Sequence, residues 1–416
     1  MKAYEIRDIS LAPSGRQKIE WVKDNMPLLR GLEAQYREEK PFKGVRVSLS
    51  VHLEAKTAYL CEVLAAAGAE MSVTGSNVLS TQDDVAAGLA AGGMKVYAFH
   101  GATPEEYDRH IEMALEHKPQ IIIDDGGDLV GMVHGKRPDL AEAVWGGCEE
   151  TTTGIIRLKA MEREGVLKFP MVAVNDARCK HLFDNRYGTG QSVWDSIMHN
   201  TNLIIASKTV VVAGYGWCSR GIAMRAAALG AGVIVTEIDP VKAIEARMDG
   251  FSVMRMEDAA PLGDFFVTAT GCAQTITTDH MLTMKDGAIL SNAGHFNVEI
   301  DMEGLERLAS EKKESRQNIM GYKLPNGRRI HVIAEGRLVN IAASNGHPAE
   351  IMDMSFAVQF LSALYIANHH ENLKNQVVDV SAQIDDLIAR RKLEAWGIRI
   401  DALTPEQERY LNSWAL

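Results

Sequence analysis

The side chains able to do chemistry in this chain cluster where apolar runs end. They are His52, Glu54 and Lys56; Asp125; Glu150; Asn175, Lys180, Asp184 and Asn185; His295; and His347. Singly, each has an ordinary explanation. A loop histidine is usually solvated, and the aspartates of Asp124-Asp-Gly-Gly-Asp128 are good turn formers. Thr151, Thr152 and Thr153 can simply cap the helix that follows them. Collected at one edge of a fold, the same groups suit general acid–base chemistry in a cleft. A lysine among carboxylates is moreover a group whose proton affinity its surroundings set.

A second constellation lies at residues 208–237. Thr209 to Ala213 is a β-branched run with no polar interruption, as a strand buried on both faces requires. Gly214 and Gly216 make a tight turn, Ile222 to Leu229 is rich in helix formers, and Val233 to Thr236 is a second buried strand ending in Glu237. Strand, glycine turn, helix, strand and acid form the unit that binds a dinucleotide, with the pyrophosphate at the helix N-terminus. The third glycine of that fingerprint is replaced by Ser219, with Gly221 two residues on. An acid at Glu237 accepts hydrogen bonds from a ribose diol and repels a 2′-phosphate, which favours NAD over NADP.

Elements must hold these groups in place. From Gly44 the chain alternates: strand Val45–Ser50, helix Thr57–Ala67, strand Glu70–Thr74, helix Thr81–Ala91, strand Met94–Phe99, helix Pro104–His117, strand Ile121–Asp125. Such alternation predicts a parallel sheet covered on both faces, with ligands at the carboxyl ends of the strands. A helix runs to about Gly165, Met171–Val174 is a strand, and Asn175–Asn185 reads as a polar loop. A helix from Gly188 leads to the dinucleotide half, which continues through strands Phe265–Thr270, Ala288–Ser291 and His331–Ala334. Residues 351–368 carry too few charges for an exposed helix and are expected to return to the first half. The expected fold is α/β: two doubly wound parallel-sheet domains joined by a hinge, with a short helical C-terminal tail. Residues 1–187 and 347–380 would form a substrate domain, 188–346 an NAD domain, and 381–416 an oligomerisation tail.

Composition excludes several classes. With 416 residues, 46% hydrophobic and 24% charged, the chain is that of a globular protein of two or three domains. A net charge of −11 without a long basic run speaks against nucleic acid or an anionic membrane as partner. Five scattered cysteines without Cys-x-x-Cys pairs predict reduced thiols in a cytoplasm and no metal site. No stretch approaches ~18 uninterrupted apolar residues, so no membrane span is expected.

Beyond this the sequence resembles the S-adenosylhomocysteine hydrolase family along nearly its whole length. The matching segments are Ser80-Thr-Gln-Asp83, Asp124-Asp-Gly-Gly-Asp-Leu129, Glu149-Glu-Thr-Thr-Thr-Gly154, Asn175-Asp176 and Phe183-Asp-Asn185. Val212-Ala-Gly-Tyr-Gly216, Thr236-Glu-Ile-Asp-Pro240, Gly294-His-Phe296, Ala334-Glu-Gly-Arg-Leu-Val-Asn340 and Gly346-His-Pro348 follow in order. The resemblance implies a small-molecule nucleoside thioether as substrate, tightly bound NAD that is recycled, and a homotetramer. It implies oxidation at C3′, proton removal at C4′, loss of homocysteine from C5′, addition of water, and re-reduction. Lys180 with Asp184 would manage the 3′-hydroxyl proton. Asp125 and His52 would serve C4′ and the 5′ protons, Glu150 the ribose hydroxyls, and His295 would sit near C5′. Glu54, Lys56, Thr57 and His347 would complete the substrate site, and Asn175 would support the nicotinamide. NAD would be held by Thr151, Thr152, Thr153, Asn185, Gly214, Gly216, Trp217, Cys218, Ser219, Arg220, Gly221, Glu237, Lys242, Thr270, Ala293, Gly294, His295, Asn340 and His347. A plain NAD-dependent dehydrogenase, or a non-catalytic NAD-binding relative, shares the dinucleotide half.

The chain departs from the family pattern at four places. Thr189 stands where a cysteine is frequent and Asn297 where an aspartate is, and the chain stops at Tyr410–Leu416 without the Lys- and Tyr-bearing tail that reaches a neighbour's NAD. The usual His-x-Thr-x-Glu/Gln that reads adenine is here His52-Leu-Glu54-Ala-Lys56. Lysine only donates and ionised glutamate only accepts. They match hypoxanthine, with its O6 acceptor and N1–H donor, and mismatch adenine. The other reading is an internal Glu54–Lys56 pair that ignores the base.

Overall fold

The computed structural model describes residues 3–342 and 344–414. Sixteen strands are seen among them: β1 (Tyr4–Glu5), β2 (Arg46–Ser50), β3 (Glu70–Thr74), β4 (Lys95–Tyr97), β5 (Ile121–Asp124), β6 (Gly146–Glu149), β7 (Met171–Ala173), β8 (Thr209–Ala213), β9 (Gly232–Thr236), β10 (Ser252–Val253), β11 (Phe265–Thr268), β12 (Ile289–Asn292), β13 (Glu311–Arg316), β14 (Ile319–Lys323), β15 (Arg329–Ile333) and β16 (Val377–Asp379). They form two eight-stranded sheets, ordered β1-β4-β3-β2-β5-β6-β7-β16 and β10-β9-β8-β11-β12-β15-β14-β13.

The first sheet is parallel throughout. Its strand order reverses between β2 and β5, and that of the second sheet between β8 and β11. Each reversal is a topological switch point, where the loops after neighbouring strands diverge and leave a crevice for a ligand. The strands are buried on both faces, with Val47, Leu49, Ile121 and Ile123 in one core and Val210, Val212, Val235 and Val267 in another.

The second sheet is parallel from β10 to β15, as expected, and carries an antiparallel addition at one edge. Between β12 and β15 the chain inserts an antiparallel hairpin, β13 on β14, and β14 also runs antiparallel to β15. The β13 sequence is charged and fully exposed, so it carries no apolar alternation to read. The edge strands β1 and β16 and the inner strand β6 also go beyond the sequence expectation. Gly146-Gly-Cys-Glu149 has no β-branched residue, but a Cβ on Gly147 would lie 2.7 Å from both the Ile122 carbonyl and the Met171 sulfur, so close packing demands glycine.

A correction concerns Asn175–Asn185. The segment is helical: a 3₁₀ turn at Val174–Asp176, a turn at Arg178–Lys180, and a π-helix His181–Gly188 that runs into helix Thr189–Thr201. Its polar composition reads as loop because Asn175, Lys180, Asp184 and Asn185 face a polar cluster, while Ala177, Cys179 and Phe183 pack on the core.

Helix Ala349–His369 packs against helices Pro27–Glu39 and Ala55–Ala66 and against β5 and β6 of the first sheet. An 18-residue stretch within Ala349–Asn372 has a mean hydropathy of 1.2, which would suit a membrane span, yet 72% of it is buried inside the fold. It is a core helix. Its Met352, Phe356 and Phe360 join the core of Val47 and Leu49.

Candidate active site

The carboxyl ends of both sheets face one cavity of about 850 Å³. From the first sheet come His52, Glu54, Lys56 and Thr57 after β2, Asp125 after β5, and Glu150 with Thr151, Thr152 and Thr153 after β6. From the second come Gly216, Trp217, Cys218 and Arg220 after β8, Thr270 after β11, and Ala293, Gly294 and His295 after β12. Lys180, Asp184, Asn185, Lys242, Asn340 and His347 also line it.

At one end, His52 Nδ1 lies 2.7 Å from Ser80 Oγ and its Nε2 3.4 Å from Asp125 Oδ2, which also accepts from Ser76 Oγ at 2.8 Å. Burial pushes the His52 imidazole down to about 4, so it is neutral at neutral pH. Burial also opposes the Asp125 charge, but His52, His295, Ser76 and Lys180 together hold it below the usual carboxylate range. The His295 ring, from the second half, stands 6.3 Å from that of His52. The sequence pattern names no metal site. Even so, ligand-type atoms of His52, Asp125 and His295 lie within 4.8 Å of one another, close enough to share an ion or a proton.

A second cluster surrounds Lys180. Its ammonium donates to Asn185 Oδ1 at 2.8 Å and Asn175 Oδ1 at 3.3 Å, and lies 3.3 Å from Asp184 and 3.6 Å from Glu150. Burial disfavours the lysine's charge, but the Asp184 and Glu150 carboxylates overcome it and hold the ammonium above its ordinary value. Asp184 is likewise opposed by burial but kept ionised by Lys180 and His347, whose Nδ1 is 2.6 Å away. Burial pushes Glu150 up to about 7 against the pull of Lys180. Ser355 Oγ lies 2.6 Å from Asp184 Oδ2 and 3.0 Å from Glu150 Oε1. A hydroxyl has one proton to give, and the shorter bond points it at Asp184.

At the third corner, Lys56 Nζ lies 2.7 Å from Glu54 Oε2 and donates to the Asn345 carbonyl at 3.0 Å. Glu54 caps helix Ala55–Ala66, its carboxylate accepting the Lys56 N–H. The internal pair is therefore formed, and it forms within the cavity wall.

Four residues expected at the cofactor do not line the cavity: Gly214, Ser219, Gly221 and Glu237. Ser219 is buried, its hydroxyl bonded to the Ala269 carbonyl at 3.1 Å, so it fills the helix–strand contact left by the missing glycine. A Cβ on Gly221 would fall 1.8 Å from the Arg186 carbonyl; this glycine lets the cofactor helix meet the π-helix. Glu237 straps the glycine turn, accepting the N–H groups of Tyr215, Ile238 and Asp239. A carboxylate has about four acceptor sites, so one remains for a ribose.

The cavity fits a dinucleotide on its own evidence. Gly216 gives helix Trp217–Ala228 no side-chain cap, which leaves its first N–H groups for a pyrophosphate. Arg220 Nε and Asn340 Oδ1 are buried in the wall without a protein partner.

Sequence reasoning assigned no role to several groups that organise the site. Ser76, Ser80 and Ser355 are three, and Gln359 Nε2, which donates to Glu150 Oε2, is a fourth. Ser355 and Gln359, one turn apart in an apolar helix, were the available signal. Glu299 accepts from Thr270 N, Thr270 Oγ1 and Gly271 N, and no pattern marks it.

The fold and site together define a doubly wound α/β protein of the NAD-binding class, with proton-transfer groups gathered beside the dinucleotide turn. A family model described as S-adenosyl-L-homocysteine hydrolase matches residues 3–139, and that family's NAD-binding domain matches residues 185–346. The chain belongs to the S-adenosyl-L-homocysteine hydrolase family. Over 411 residues it is 57% identical to the S-inosyl-L-homocysteine hydrolase of Methanocaldococcus jannaschii, covering 99% of both chains. It is equally 57% identical to the adenosylhomocysteinase of Pyrococcus abyssi, covering 99% of this chain and 97% of that one. Among solved structures, a dipicolinate synthase chain from Bacillus halodurans superposes with a TM-score of 0.51 at 13% identity, over 79% of this chain and 99% of that one. That likeness concerns the fold alone.

Proposed function

We propose that this protein hydrolyses the thioether of an S-nucleosyl-L-homocysteine and handles the inosyl compound better than the adenosyl one. The observation that carries the base preference is the state of the Glu54–Lys56 pair. Two of the three ammonium protons are committed, to Glu54 Oε2 and the Asn345 carbonyl, and neither Glu54 contact uses Oε1. One donor and one acceptor remain in the cavity wall, and hypoxanthine presents their complement while adenine does not. Equal identity to relatives of both names leaves the choice to these residues.

Bound NAD supplies reversible hydride acceptance at the ribose C3′. Lys180 is charged, so it and Asp184 would handle the 3′-hydroxyl proton as a unit, with His347 beyond Asp184 as the next acceptor. Neutral His52 and ionised Asp125 would take the C4′ proton and return one to the 5′ position. Glu150, poised near neutrality by burial, would hold the ribose hydroxyls. The same reading divides the chain into 1–187, 188–346, 347–380 and 381–416, with hinge crossings near 185–190 and 346–350, so that closure excludes water. It also takes the protein as a cytoplasmic homo-oligomer, a tetramer by family likeness. Free thiols at all five cysteines support the first point, and exposed Ile238, Val241, Met248, Leu411 and Trp414 support the second.

The test is homocysteine release from S-inosyl- and S-adenosyl-homocysteine by enzyme purified without added NAD. Many turnovers without free NADH, faster with the inosyl compound, are expected. Stoichiometric consumption of NAD would point instead to a dehydrogenase.

A further inference from the structure

Two buried carboxyl groups behind the cleft take part in none of these steps. Asp124 ends β5 and Glu149 ends β6; they are register partners on adjacent parallel strands, and neither reaches solvent. Each stands one residue before a group assigned to the chemistry. Among the described residues neither forms an ion pair with a cation; the nearby Arg157 is taken by Asp128 and the Gly126 carbonyl.

Their partners are backbone amides. Asp124 accepts from Asp125 N at 3.1 Å and Val130 N at 2.9 Å, and its carbonyl accepts from Glu150 N at 2.9 Å. Glu149 Oε1 accepts from Gly126 N at 2.8 Å and from Thr151 N at 3.0 Å, whereas Oε2 has no partner. Glu149 thus ties the loop bearing Asp125 to the threonine loop. Gly154 makes room for it: a Cβ there would fall 2.1 Å from the Glu149 carboxyl carbon.

We propose that Glu149 is a positioning residue for the reaction assigned above, its carboxyl group setting the spacing between the Asp125 loop and the threonine loop that would face NAD. The inference rests on that functional reading. Two adjacent carboxylates without a counter-cation cannot both stay ionised in a low-dielectric interior. Burial, and then the Asp124 and Asp125 charges, push Glu149 well above the usual range, while burial pushes Asp124 up to about 7. A neutral acid accepts through its carbonyl oxygen and keeps its proton on the other. That is the division seen, with both amides on Oε1 and none on Oε2. Glutamine would reproduce it, and aspartate, one methylene shorter, would not reach.

The experiment compares Glu149→Gln, Glu149→Asp and Gly154→Ala with the native chain, by calorimetric titration of NAD and by kcat and KM for homocysteine release. Glu149→Asp and Gly154→Ala should bind NAD about tenfold more weakly and lose about 10- to 100-fold in kcat with little change in KM. Glu149→Gln should stay within about threefold of native in both. Native NAD affinity and kcat in Glu149→Asp would overturn the proposal, as would a Gln variant as impaired as the Asp one. Should Glu149→Asp fail to fold, native NAD affinity in Gly154→Ala overturns it equally. A native chain that releases homocysteine from neither substrate would strike the functional reading alone, since the NAD titrations still decide the role of Glu149.

Discussion

Replacing Glu54 by threonine and Lys56 by glutamate together should move the base preference toward the adenosyl compound. The two changes must be made at once. Both side chains are less than 10% exposed, with the ammonium 2.7 Å from the carboxylate. Lys56→Met alone would leave a buried, unpaired Glu54 and cost about 3–5 kcal/mol of stability. The double variant removes the ion pair, threonine remains a good N-cap for helix Ala55–Ala66, and the new carboxylate at position 56 would take the adenine amino group as its partner. A mismatched group in a desolvated pocket costs about 1–3 kcal/mol, so one or two mismatches correspond to a preference of roughly tenfold to several hundredfold. The assay is kcat/KM for thiol release from each nucleoside thioether, in the native chain and the double variant, with thermal midpoints measured alongside to separate folding from specificity. Equal kcat/KM for both compounds in the native chain, unchanged in the double variant, would refute the reasoning: the pair would then be a structural lock that does not read the base.

Two further outcomes follow from the proton-transfer groups. Lys180→Ala should abolish oxidation at C3′, whereas Asp125→Asn should still accumulate reduced nicotinamide with bound substrate and then stall before homocysteine leaves; near-ultraviolet absorbance distinguishes them, and a silent Asp125 variant would reverse the assigned order. His52 should also shape stability against pH. Burial holds its imidazole at about 4, against about 6.5 in an unfolded chain, so the unfolded state binds more protons between those values. The stability from neutral His52 is complete above about pH 6.5 and is lost as pH falls toward 4. Urea denaturation at pH 7 and 5 should show His52→Gln losing about 2 kcal/mol less than the native chain over that interval; parallel losses would contradict it.

Much of this protein is legible in its sequence because the information is local. The run Thr209–Ala213, the turn at Gly214 and Gly216, and Glu237 specify a dinucleotide unit by period and residue type alone. The strand–helix alternation from Val45 to Asp125 specifies a doubly wound sheet for the same reason, and His52, Asp125 and Glu150 reveal themselves by following its strands. Other features depend on neighbours distant in the chain. That Glu237 straps the glycine turn, that Gly221 serves the Arg186 carbonyl, and that the polar stretch before Gly188 winds as a π-helix are all settled by contacts no local pattern encodes. The hairpin β13–β14 escaped for a related reason: its outer strand is charged on both faces and buries nothing.

The sequence alone determined which groups are available: histidines, carboxylates and a lysine, beside a turn built for NAD. Only the tertiary structure decided their charge. Burial neutralises His52 and lifts Glu150, while the carboxylates of Asp184 and Glu150, converging from different elements, keep Lys180 an ammonium. Protonation depends on desolvation and on the nearest opposite charge, and both are properties of three-dimensional proximity rather than of residue order.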